Sequence, residues 1–168
     1  MKPSLILAMA LVLAPLGALA QAPAPAASPA AAVPKPKVPD IYDESANGDR
    51  QVADAVAIAS KEHKRIVLEF GANWCEWCHR LHDLFEADAS ISKTLKSGYV
   101  VVLIDVNGDR NRDLVVKYDA KDYGLPFLVV LESDGKHLIT KHSDDFEVGD
   151  HHDPQKVLAF LQEWAPKE

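Results

Sequence analysis

Six consecutive residues, Trp74-Cys75-Glu76-Trp77-Cys78-His79, hold both cysteines of the 168-residue chain. Two thiols at this spacing, the first at the start of a helix, can close a disulfide with each other and open it again. Amide dipoles at a helix N-terminus favour the thiolate of the first cysteine, and the thiolate is the reactive form. Other chemistries share the pattern. Cys-x-x-Cys-His is the signature of covalent haem attachment, and Cys75, Cys78, His79 and His82 are four potential metal ligands.

The surroundings weigh these readings. Haem c domains are mostly helical, whereas a strand-like run enters this motif. The two methionines, Met1 and Met9, lie in a leader-like segment, which leaves no Met axial ligand in a processed chain. Structural zinc separates its two ligand pairs by a dozen or more residues. His79 and His82, one helical turn apart, are more simply solvated helix residues, and His151-His152 fit a surface loop. A structural disulfide across so short a loop would remove little unfolded-state entropy. Redox exchange is the chemistry this spacing serves, with no metal and no organic cofactor.

The elements that must position the thiols follow from periodicity. Val52, Ala55, Val56 and Ala59 mark one face of a helix over 49–63, and 65–71 (RIVLEFG) is a buried strand with one acid, Glu69, inside it. Cys78, Leu81, Leu84 and Phe85 repeat at helical spacing after the motif, and 91–95 is a second helical piece. A second buried strand spans 99–106, a short helix 112–118 and a third strand 126–132. Ser133-Asp134-Gly135-Lys136 turns into a fourth strand at 137–141. Asp153 as N-cap and Pro154 at N1 open a last helix that presents Val157, Leu158, Leu161, Trp164 and Ala165 inward. Apolar strands alternating with helices predict an α/β sheet covered on both faces.

Composition bounds the rest. With 48% hydrophobic and 26% charged residues the chain can build a core, and a net charge of −7 offers no basic footprint for nucleic acid. Lys2, the apolar run 5–16 and Ala18-Leu19-Ala20 form a secretory signal over 1–20, too short to span a membrane comfortably. Residues 21–40 are an Ala/Pro-rich flexible tether, and 41–168 the folded domain. The expected location is the periplasm, with no membrane span after signal cleavage.

Three stretches carry a resemblance: Val67-Leu68-Glu69-Phe70-Gly71-Ala72-Asn73-Trp74-Cys75-Glu76-Trp77-Cys78, then Tyr123-Gly124-Leu125-Pro126-Phe127, then Ser133-Asp134-Gly135-Lys136. In this order they make 49–164 resemble the thioredoxin-like superfamily, in its exported thiol:disulfide oxidoreductase form. The resemblance implies a thioredoxin fold, a central mixed β-sheet with helices on both faces. It implies Cys75 as the nucleophile, the exposed sulfur, and Cys78 as the deeper resolving cysteine. Pro126 matches the family's cis proline, and the Leu125 backbone would pair with an extended client segment. Glu69, six residues before Cys75, matches a buried acid. A carboxylate there has a raised pKa and can take the Cys78 proton during resolution. Trp74, Glu76 and Trp77 border the sulfurs on the client-binding side; Trp74 is expected to pack over the site as a shield, while Trp77 either packs or meets a partner.

Two departures stand out. Glu76-Trp77 replaces the family's common Gly-Pro, and 99–106 lacks the lysine that thioredoxin pairs with the buried acid. The direction of exchange then turns on Glu76. A helix N-terminus favours the Cys75 thiolate by about 0.3–2 kcal/mol. A like charge about 6 Å away opposes it by roughly 0.7 kcal/mol in water and about 2.8 at an effective dielectric near 20. The expectation is a reductant of client-protein disulfides, recharged by an upstream thiol-redox partner. A disulfide oxidase or isomerase and a non-catalytic binding or chaperone module are the alternatives.

Overall fold

A computed structural model describes residues 38–167; the 1–20 signal and all but the last three residues of the 21–40 tether lie outside them. Helix α1 (Gly48–Glu62) starts at Asn47, whose side chain accepts the Arg50 amide, and stops at His63 in the left-handed conformation, φ 55°. There follow β1 (Arg65–Gly71), α2 (Glu76–Ala87), α3 (Ala89–Gly98), β2 (Tyr99–Asp105), α4 (Arg112–Lys117), β3 (Phe127–Leu131) and β4 (His137–His142). A 3-10 turn (Ser143–Phe146), β5 (Glu147–Val148), β6 (His151–His152) and α5 (Pro154–Glu163) complete the described chain. The main sheet has the order β2-β1-β3-β4. β1 and β2 are parallel, and β3 runs antiparallel to both β1 and β4, so the sheet is mixed.

The period-two alternation of β1 sorts its side chains onto two cores. Ile66, Leu68 and Phe70 pack with Val52, Ala55 and Ala59 of α1, Leu114 of α4 and Val129 of β3. Val67 faces the other way, onto Leu81 and Phe85 of α2, Ile91 and Leu95 of α3, and Val157, Phe160 and Leu161 of α5. Glu69 is two residues beyond Val67 and therefore shares its face, the side of the sheet that carries α2. Asp153 caps α5 by accepting the Gln155 and Lys156 amides, with Pro154 in its first turn.

Two expectations are corrected. Among the described residues β2 is an edge strand, paired only with β1, and Val101 is 39% exposed, so the strand is not buried throughout. An unbroken apolar run does not distinguish an edge strand from a central one. The segment 143–152 is a 3-10 turn and a two-stranded ribbon in which His152 is buried, not a surface loop. Strands of two residues have no readable period. Among the described residues no helix is long and apolar enough to cross a membrane.

Candidate active site

Cys75 is the N-cap of α2: its backbone is extended, and its Sγ accepts the Cys78 amide at 3.1 Å. Cys75 and Cys78 are joined in a disulfide with Cα atoms 5.3 Å apart. Cys78 is fully buried, and Cys75 keeps 5% of its surface, so the first sulfur is less exposed than the sequence implied. The reason is the apolar cluster around the pair, Tyr42 and Ala72 with Ile41, Trp77, Leu103 and Leu125 at its margin. The Leu125–Pro126 peptide bond is cis. Gly71, at the end of β1, is required by close approach: a Cβ there would strike the Tyr42 hydroxyl and sit 2.8 Å from Cys78 Sγ.

Glu69 is completely buried. The Tyr42 hydroxyl donates to its Oε1 at 2.8 Å, while Oε2 has no hydrogen-bond partner among the described residues. Burial pushes the Glu69 carboxyl up to about 8, and the Tyr42 bond opposes that rise. Tyr42 is itself buried; burial first, then the Glu69 charge, raises its hydroxyl far above the usual tyrosine range. Asn73 holds it in place. Its Oδ1 accepts the Ile41 and Tyr42 amides at 3.0 and 2.9 Å, and its Nδ2 donates to the Tyr42 carbonyl at 3.0 Å and to Glu44 Oε1 at 3.2 Å.

The residues bordering the sulfurs divide differently from expectation. Trp74 is not a packed shield: it is 69% exposed, with its indole N–H donating to Asn107 Oδ1 at 2.9 Å. It lies in the turn before α2, where no element covers it, and the tether to Asn107 fixes the ring facing outward. Trp77 is half-buried, with the His152 ring edge-on at 5.1 Å and the Arg80 guanidinium 4.9 Å from its centroid. Glu76 is exposed, and its Oε1 lies 2.7 Å from Arg80 Nη2 one helical turn on. That cation offsets its charge, so the repulsion assigned to Glu76 from the sequence is an overestimate. His79 Nε2 donates to the Asn73 carbonyl at 2.8 Å, a bond that commits this nitrogen to the backbone.

The loop that carries Leu125 and Pro126 is anchored from β4. The Gly124 amide donates to His142 Nε2 at 3.0 Å, His142 Nδ1 lies 3.0 Å from Asp144 Oδ2, and the Tyr123 ring meets His142 edge-on at 5.0 Å. Leu125 is half-buried and Pro126 buried. The structure thus brings Glu69, Cys75, Cys78 and Leu125 to one place, together with Tyr42, Asn73 and His142, which sequence reasoning missed. One signal pointed to Tyr42: the lysine absent from 99–106 left the buried acid in need of another partner.

A mixed four-stranded sheet between helices, with a Cys-x-x-Cys disulfide at a helix start, defines a thioredoxin-fold domain. A model of the thioredoxin-like family matches residues 47–133, and the chain belongs to that family. A disulphide isomerase from Xylella fastidiosa Temecula1 is 34% identical with a TM-score of 0.65, over 73% of this chain and 95% of that one. The C-terminal domain of DsbD from Neisseria meningitidis, in its oxidised form, shares the fold at 17% identity and a TM-score of 0.51, over 71% of this chain and 97% of that one. A protein disulfide-isomerase of Ricinus communis is 38% identical over 77 residues, 46% of this chain. The match spans only 15% of that relative's length.

Proposed function

We propose that this protein is an exported thiol–disulfide oxidoreductase that reduces disulfides of client proteins and is recharged by an upstream thiol-redox partner. The observation that carries the exchange chemistry is the Cys75–Cys78 disulfide capping α2, with Cys75 keeping a small exposed edge and Cys78 fully buried. In the reducing direction the Cys75 thiolate attacks a client sulfur, the client S–S bond breaks, and a mixed disulfide forms. Cys78 then attacks Cys75 Sγ and releases the client as a thiol, with Glu69 taking the Cys78 proton. Trp74, Glu76, Trp77, Leu125 and Pro126 border the site where the client lies.

The direction rests on how little holds the Cys75 thiolate. Strong oxidants of this kind owe their potential to a well-stabilised thiolate in the reduced form. Here the sulfur accepts one amide, that of Cys78, and His79 is turned to the Asn73 carbonyl. The helix terminus supplies the remaining stabilisation, about 0.3–2 kcal/mol. The names of the relatives from Xylella fastidiosa and Ricinus communis favour a second reading, disulfide isomerisation. Equilibration with glutathione buffers separates the directions: a midpoint below about −200 mV supports the reductant, and one near about −120 mV excludes it. Recovery of a scrambled client without added reductant would favour the isomerase.

A further inference from the structure

We propose that the Tyr42 hydroxyl relays the proton from Cys78 to Glu69, a role that rests on the exchange chemistry above and adds a residue to it. Three observations place it there. The hydroxyl donates to Glu69 Oε1 at 2.8 Å, in a buried bond, while the other carboxylate oxygen has no partner among the described residues. The same hydroxyl and Cys78 Sγ converge on the bare Cα of Gly71, where a Cβ would strike both. Because the O–H bond points at Glu69, the lone pairs of the oxygen are free for a thiol S–H. The third observation is confinement. Tyr42 is 3% exposed and Cys78 fully buried, and Asn73 grips both the amide and the carbonyl of Tyr42. A phenol held this way makes a path that needs no bulk water.

In the mixed disulfide of Cys75 with a client, Cys78 Sγ attacks Cys75 Sγ. The Cys75–client S–S bond breaks, its electron pair leaves with the client sulfur, and the Cys75–Cys78 bond forms. With Glu69 ionised, the form that prevails above about pH 8, the Cys78 proton passes to the Tyr42 oxygen as the Tyr42 proton passes to Glu69 Oε1. Glu69 ends neutral and Tyr42 unchanged, and the client thiolate takes a proton from solvent. The two transfers are concerted, because burial and the charges of Glu69 and Asp105 all disfavour a free tyrosinate. Asp105, buried at the end of β2, has Arg110 Nε 3.5 Å from its Oδ2.

Reduced full-length protein mixed with dithiobis(nitrobenzoate) in a stopped-flow instrument tests the relay. Attack by Cys75 releases one nitrothiobenzoate, and attack by Cys78 on the mixed disulfide releases the second. Tyr42→Phe is expected to slow the second phase above about pH 8, where Glu69 is ionised, by at least about tenfold while the first stays within about twofold. Combining it with Glu69→Gln should give a protein no slower than Glu69→Gln alone. The second-phase rate of the unaltered protein in mixtures of light and heavy water should be bowed, from two protons in flight, and linear in Tyr42→Phe. A merely structural tyrosine would not produce that change in curvature. A normal second phase in Tyr42→Phe with a slow one in Glu69→Gln overturns the relay and leaves Glu69 and the exchange chemistry standing. Normal phases in both variants overturn the relay and the base together. Release of only one nitrothiobenzoate by the unaltered protein overturns the exchange reading itself. If Tyr42→Phe does not fold, the unaltered protein decides: a bowed dependence supports the relay and a linear one overturns it.

Discussion

Burial holds the Glu69 carboxyl up near 8 against an ordinary 4.5, and that displacement makes the folded state lose stability as pH rises. The sign follows from proton counting. Between about 4.5 and 8 the unfolded chain has released this proton and the folded chain has kept it, so raising the pH favours unfolding. The loss is about 1.4 kcal/mol for each pH unit across that window. Glu69→Gln removes the titrating group and keeps the shape. Urea unfolding of the oxidised protein from pH 5 to 8 should therefore show a flatter profile for the variant; parallel profiles would mean that Glu69 is ionised when folded. The same substitution should slow the second nitrothiobenzoate phase. The two sulfurs are distinguished by trapping: Cys78→Ser should accumulate mixed disulfides with client proteins, and Cys75→Ser none. Equal trapping would mean that the roles are shared.

At the scale of elements, the loop carrying Leu125 and Pro126 is held to β4 by one imidazole. The Gly124 amide needs a lone pair on His142 Nε2, which places the His142 proton on Nδ1, toward Asp144. His142→Ala removes that acceptor and the ring against Tyr123, at a cost of about 1 kcal/mol for the hydrogen bond. Insulin reduction should slow if the loop borders the client as proposed, while both phases with the small aromatic disulfide keep their rates. An unchanged insulin rate would reduce His142 to a packing residue. The β5–β6 ribbon serves the other flank of the site, where His152 covers one edge of Trp77 and Arg80 stacks on its ring. Trp74 is left as the exposed aromatic beside the disulfide.

At the scale of the molecule, the segment before α1 completes the site. Asn73, two residues before Cys75, makes four hydrogen bonds to residues 41–44 and so ties the entry of the chain to the start of α2. Asn73→Ala should cost roughly 2–6 kcal/mol, at about 0.5–1.5 for each of the four bonds. It should also slow the second phase, because Tyr42 loses its grip while Cys75 and Cys78 stay in place. Urea unfolding measures the first effect and stopped-flow the second; a destabilised variant with a normal second phase would uncouple the clamp from the chemistry.

Much of this architecture was legible in residue order. Helix and strand periods placed α1 and β1 to within a residue of their observed ends and marked the inward stripes of α2 and α5, because each buries a continuous stripe against the sheet. The Cys-x-x-Cys spacing restricted the chemistry, since two thiols three residues apart at a helix start can always reach each other. The burial of Glu69 was legible too, as an acid inside an apolar run that lies in a central strand. What only the tertiary structure decided is which side chains meet across sequence. Tyr42 reaches Glu69 over 27 residues, and His142 reaches Gly124 over 18. Exposure of Trp74, burial of His152 and the pairing of Glu76 with Arg80 were likewise settled by neighbours. Periodicity reports which face of an element is apolar, but a hydrogen bond between separate segments has no period. It exists only once the sheet and its covering helices have brought the two backbones together.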